Sequence, residues 1–200
     1  MLDRLAGLGL IDRTGNTLGG ISFDATDFTG QTMTNIVNSL AARGQLINKA
    51  IGIPNAFHMN AELVKELKTI KPTAMTEFMA ILHGYGGQSA IKGLALGNGW
   101  IAFPGFPDTA ACRILAERIV HAAVTNRWIK GKAPAVTNEK YSFRVWLNSL
   151  GMTGEAYAGA RAELLKNLSG DSAFRTEEQR AAFYSARRRR PAQEPDFILL

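Results

Sequence analysis

The chain has little of what site chemistry usually requires. One cysteine, Cys112, and three histidines, His58, His83 and His121, are scattered over 200 residues. A lone cysteine cannot close an internal disulfide, and no pair among these four has the spacing of a metal-binding knuckle or helix. Neither a metal nor a cofactor is expected. No apolar run reaches the roughly 18 residues of a spanning helix, so no membrane insertion is expected. Met1–Leu10 carries an arginine and an aspartate but no long apolar segment, so no signal peptide is expected and the cytoplasm is the default compartment.

Signatures of catalysis are also missing. Gly84-Tyr85-Gly86-Gly87 follows a helical pattern and lacks the lysine-serine/threonine end of a phosphate loop, so a helix end and connector explains it. No glycine-serine-glycine elbow and no kinase set occurs. Asp24 and Asp27 are isolated carboxylates, and Asp27 suits a helix cap. No residue stands out as catalytic, and a non-enzymatic role is favoured.

Excess charge is local. The net charge is +6, but Arg187, Arg188, Arg189 and Arg190 are adjacent, and without them 19 basic residues face 17 acidic ones. The rest of the chain is close to neutral, with a second, weaker basic group at Arg127, Lys130 and Lys132. That group falls at the end of a helical pattern, where dipole complementarity is the plainer explanation and phosphate contact the sharper one.

What is present is regular patterning. Leu8–Ile11 and Leu18–Phe23 flank the turn formers Asp12–Asn16, which reads as a β-hairpin. Asp27 or Thr29 opens a long helix through Met33, Ile36, Val37, Leu40, Leu46, Ile47 and Ile51, with Gly44 a point of interruption and Gly52 and Pro54 a firm stop. Phe57–Met59 reads as a short strand. Asn60 caps a helix with Leu63, Val64, Leu67 and Ile70, and another runs from Thr73 to Leu82. Ile91–Leu96 and Trp100–Phe103 flank Asn98-Gly99, the strongest hairpin signal in the chain. Asp108 is placed to cap a helix buried through Ile114, Leu115, Ile119, Val124 and Trp128.

From Tyr141 towards Ser185 the pattern is helical, in three segments. Phe143, Trp146, Leu147 and Leu150 share one face, and Gly151 stops that helix. Thr153 is placed to cap a second helix with Tyr157, Ala160, Leu164, Leu165 and Leu168, ended by Gly170. Thr176–Gln179 is a capping box opening a third helix towards Ser185. Two helices about a short glycine-containing turn have the outline of a helix-turn-helix, but Arg161 is the one side chain suited to reading bases, so a packed helical hairpin is preferred. The expectation is an α+β protein. Its parts are a mixed domain over 1–130 with two hairpins and several helices, a linker over 131–138, a helical unit over 139–186, and a basic tail over 187–200 expected to be disordered.

The string Asn138-Glu139-Lys140-Tyr141 through Leu150-Gly151, with Leu164–Gly170 and Ser172–Arg175, resembles an uncharacterised "virulence-related protein" family of Firmicutes phages and integrated mobile elements. Ile11–Asn16, Leu46–Gly52 and Phe103–Phe106 resemble upstream segments of that family. The chain departs from it in an expanded Asn60–Gln88 segment, in lacking an N-terminal portion of the longer members, and in the arginine-rich end. The resemblance implies an accessory protein working in a bacterial host cell, and it transfers no catalytic residue.

Three readings of function follow. The first is binding to DNA, RNA or a nucleoprotein complex, through Arg187–Arg190 and the Arg127, Lys130 and Lys132 group, with Arg144, Arg161, Lys166 and Arg175 extending the surface. The second is a protein-binding inhibitor of a host defence complex, of anti-CRISPR or anti-restriction type. The third is an enzyme. Oligomeric state is left open.

Overall fold

In the computed structural model, residues 21–189 are described. Over this range the protein is α+β, with seven α-helices and two small antiparallel sheets. The organising element is α1, Gly30–Ile51. Thr29 opens it, its hydroxyl accepting from the Thr32 N–H at 3.1 Å. Thr29, and not Asp27, is therefore the cap, and Thr29→Ala should lower the midpoint of thermal unfolding by the equivalent of about 1 kcal/mol. Gly44 does not interrupt α1. It is buried there against Phe57. Gly52, at φ +72°, closes the helix in the left-handed region.

Every residue from Thr32 to Leu40 is buried, so α1 runs through the interior with no solvent face in its first half. Around it stand β1 (Ile21–Asp24), β2 (His58–Met59), α2 (Ala61–Ile70), α3 (Met75–Gly84), β3 (Ile91–Lys92), β4 (Ala95–Gly97), β5 (Trp100–Phe103) and α4 (Ala110–Thr125). The larger sheet has the order β1-β5-β4, with Ile21 opposite Phe103 and Gly97 opposite Trp100. Of the first expected hairpin, Leu8–Asn16 and Leu18–Gly20 lie outside the described residues. Its described end, Ile21–Asp24, is β1 and pairs with the distant β5.

The Asn98-Gly99 turn joins β4 and β5 as expected, but the run Ile91–Leu96 is not one strand. It divides at Gly93, so that β3 pairs with β2 and β4 pairs with β5. Gly93 has φ +89°, and a Cβ there would sit 2.2 Å from the Ala56 carbonyl oxygen. Only glycine permits both the turn and the close approach.

Three helix ends also differ from expectation. Thr109, not Asp108, caps α4, and Asp108 instead pairs with Arg113 at 2.6 Å. Helix α4 stops at Thr125, leaving Val124 57% exposed and Trp128 in the segment beyond it. Helix α3 begins at Met75, not Thr73, and Glu77 reaches back to the Ala74 and Thr73 N–H groups at 3.1 and 2.9 Å, which holds its carboxyl below the ordinary range.

The C-terminal helices are α5 (Glu139–Ser149), α6 (Ala158–Leu165) and α7 (Glu177–Arg189). Thr153 does not cap α6; a single turn of 3-10 helix over Glu155–Tyr157 leads into it, and it ends at Leu165 instead of Leu168. Helix α7 continues to Arg189, past both Ser185 and the start of the expected tail at Arg187, while residues 190–200 lie outside the described residues. Phe143, Leu147, Met152, Leu164 and Leu168 belong to the same apolar cluster as Ile36, Leu40, Leu115 and Ile119. The hairpin α5–α6 is thus packed into the body, with α6 lying along α4.

Candidate nucleic-acid interface

Two constellations of polar side chains hold the places where the basic residues stand. The first lies inside α1. Asn35 and Asn38 are fully buried, beside the buried hydroxyl side chains Thr34 and Ser39, on a helix whose other interior positions are mostly apolar. Asn35 Nδ2 donates to the Ala123 and Asn126 carbonyls at 3.1 and 2.7 Å, and its Oδ1 accepts from the Ile129 N–H at 2.8 Å. Asn38 Nδ2 donates to the Ile129 carbonyl at 2.8 Å. A segment leaving a helix has carbonyls and amides without partners, and these two amides supply them.

The segment from Asn126 to Lys132 is therefore an extended strap fastened to the interior from beneath. Gly131 lies so close that a Cβ there would come within 2.5 Å of Asn38 Oδ1 and 2.7 Å of Val64 Cγ1. Trp128 is covered by the Lys71 ammonium, 5.8 Å from its ring centre. Arg127, Lys130 and Lys132 remain exposed on the outer side. They do not occupy the last turn of α4, so the dipole explanation offered by the sequence does not apply to them.

The second constellation joins the start of α5, the segment after α6 and the end of α1. Asn138 caps α5 through the Tyr141 N–H at 3.0 Å, and its Nδ2 donates to the Asp171 and Phe174 carbonyls at 2.9 and 2.8 Å. Glu139 accepts from Lys49 Nζ at 2.7 and 2.8 Å, from the Ser169 hydroxyl at 2.6 Å and from the Ser169 N–H at 2.9 Å. Desolvation is the largest single influence on Glu139 and pushes its pKa up, but the Lys49 and Ser169 hydrogen bonds together outweigh it and bring the carboxyl down to about 2. Gly170, at φ +93°, passes so close to Asn138 that a Cβ would lie 2.4 Å from Oδ1. Asn167 Nδ2 donates to the Ala50 carbonyl at 2.9 Å. The Asn-Glu-Lys opening, the Leu-Ser-Gly ending and the end of α1 form one lock, whose work is to hold the hairpin in place. The one carboxylate that the Ser169 hydroxyl reaches is already paired with Lys49.

The other basic residues fall on separate elements. Arg161 is engaged locally: its Nη1 donates to the Met152 and Gly154 carbonyls, both at 2.9 Å, and ties the turn before α6. Arg144 is half-buried with its guanidinium 6.0 Å from the Tyr141 ring centre. Lys166, Arg175 and Arg187 are exposed. Arg188 and Arg189 complete the last turn of α7, and Arg190 lies outside the described residues.

No family model matches the chain, and neither does any curated protein or solved structure.

Among the described residues no group of three or more His, Cys, Asp or Glu is placed to hold a metal ion, and no helix is long and apolar enough to cross a membrane. Burial pushes the Cys112 thiol up, with Glu163 adding to the effect against a Thr109 hydrogen bond, so it stays protonated at neutral pH. Beside the β4–β5 turn an apolar cleft of about 410 Å³ is lined by Phe28, Met33, Met75, Met79, Leu96 and Trp100, with no titratable side chain. Sequence patterning misses one surface feature, a cluster formed by Phe174, Phe183 and Tyr184. Its signal is the helical spacing of Arg180, Phe183, Tyr184 and Arg187, with the two rings between two arginines on one face.

Proposed function

We propose that the protein is a non-enzymatic accessory protein of a phage or mobile element that binds nucleic acid, alone or in a nucleoprotein complex. The observation that carries this reading is the strap. Arg127, Lys130 and Lys132 are displayed on a backbone fastened from inside, and none of the ion pairs among the described residues uses them. The stretch from Asn126 to Asn138 contains no acidic residue. Cations on a fastened backbone, in no ion pair, suit a row of phosphates. The family resemblance adds the phage or mobile-element setting.

Fluorescence anisotropy with short DNA and RNA, titrated over salt, tests it. The intact chain should bind with an affinity that falls steeply with salt. Replacing Arg127, Lys130 and Lys132 together by alanine should weaken binding uniformly across sequences and flatten the salt dependence by about two to three units of slope. Absence of binding at low salt would overturn the reading and turn attention to host defence proteins as partners, where a stable complex with little salt dependence is expected.

A further inference from the structure

We infer that α7 carries a stacking platform for the bases of single-stranded nucleic acid, an inference that rests on the nucleic-acid reading and names the form of nucleic acid bound. Every described side chain from Glu178 to Arg187 is exposed, so α7 covers no core with this length. A helix of 13 residues that buries nothing is marginal by itself. Its first turn is anchored locally: the Arg175 N–H donates to Gln179 Oε1 at 3.2 Å, and Arg180 lies 3.7 Å from Asp171. Beyond that anchor, large apolar surface faces outward. Phe183 is 51% and Tyr184 46% exposed. Their ring centres are 5.5 Å apart, and Phe174 lies 5.2 Å from one and 6.0 Å from the other. Single exposed apolar residues are ordinary on a protein surface, whereas three rings in mutual contact make a patch.

Charge selects the occupant. Arg180, Phe183, Tyr184 and Arg187 recur at helical spacing and share one face, and Arg188 and Arg189 follow in the last turn. The acidic residues of the helix, Glu177 and Glu178, are its first two residues, and none follows them to Arg189. Flat apolar surface beside guanidinium groups suits a strand whose bases are unpaired and whose phosphates run alongside. Duplex DNA keeps its bases stacked inside and offers the rings nothing. An acidic peptide would use the arginines and leave the rings uncovered.

The test uses the full chain and four labelled probes: a 12-nucleotide oligo-dT, the same length of oligo-rU, an abasic strand of equal charge, and a duplex. Stacking on an aromatic side chain changes single-strand affinity by roughly ten-fold or more. The intact protein should bind oligo-dT and oligo-rU at least about ten-fold more tightly than the abasic strand. The double variant Phe183→Leu, Tyr184→Leu keeps helix propensity and apolar bulk but has no ring face. It should lose that preference while its affinity for the abasic strand and its salt slope stay unchanged. Tyr184→Phe should retain the preference. If the intact protein does not distinguish bases from abasic strand, or the double variant keeps the full preference, the platform is overturned while the nucleic-acid reading stands. If no probe binds, both fall. If the double variant changes the sedimenting mass but not the affinities, the rings are an interface between copies and the inference is overturned.

Discussion

Asn35→Ala is expected to lower the unfolding free energy by about 3–4 kcal/mol, more than the loss of any one surface contact. From a fully buried position the side chain makes three hydrogen bonds to the backbone of Ala123, Asn126 and Ile129, and it accepts a longer one from Gln31 Nε2 at 3.4 Å. Each is worth about 1 kcal/mol net, and the larger effect comes from two carbonyls and one amide left without partners in the interior. Partial release of the strap into water limits the cost. Asn35→Asp should not rescue the variant, since a carboxylate can still accept from the Ile129 N–H but cannot donate to two carbonyls. Asn38→Ala, which loses one bond to Ile129 at 2.8 Å, should cost about 1–2 kcal/mol. Urea unfolding gives the energies, and hydrogen exchange at the Ile129 amide reports the strap directly. A change below about 1 kcal/mol for Asn35→Ala would show that the strap holds without its fastening.

The same variant connects folding to binding. With the strap loose, Arg127, Lys130 and Lys132 lose their fixed spacing, and ordering them on a nucleic acid costs entropy that the native strap has already lost on folding. Binding should weaken even at temperatures where the variant is fully folded.

Glu139→Gln is the second large effect, about 2 kcal/mol at pH 7, and it carries a pH signature. Because the folded carboxyl titrates at about 2 and the ordinary value is 4.5, the unfolded chain binds more protons between these limits. The stabilisation is therefore fully present above pH 4.5 and disappears as pH falls towards 2. The full shift corresponds to about 3 kcal/mol, reduced here because a quarter of the Glu139 side chain and about half of Lys49 remain in solvent, where screening weakens the pair. Denaturation of both proteins across pH decides the matter. The gap between them should narrow steadily below pH 4.5, and a constant gap would mean that the charge contributes nothing beyond hydrogen-bond geometry.

Much of the secondary structure is legible in the sequence, and the misses share a cause. Asn60 caps a helix that begins on an apolar stripe, and Thr29, one of two residues that suit the start of α1, caps that helix, so local chemistry goes far to place both. Asp108 looks like an equally good cap, but its carboxylate is drawn to Arg113 and Thr109 takes the position. Ile91–Leu96 reads as one strand because apolar runs do not record that Gly93 meets the Ala56 carbonyl, a contact between residues far apart in the chain. Arg161 looks free for a ligand in any list of cations, yet two carbonyls of the preceding turn occupy it.

The sequence by itself determined the α+β class, the caps and stops of most helices, the Asn98-Gly99 hairpin and the confinement of net charge to a few clusters. These depend on neighbours within a few residues, through side-chain caps, glycine torsions and the helical period. The tertiary structure alone decided that α1 is buried on all sides from Thr32 to Leu40, that Asn35 and Asn38 turn inward to hold the strap, and that Asn138 and Glu139 close on Ser169 and Gly170 against the end of α1. It also decided that Phe183 and Tyr184 lie uncovered. Each of these turns on which distant surface reaches a side chain first, and periodicity along a chain carries no record of distance in space.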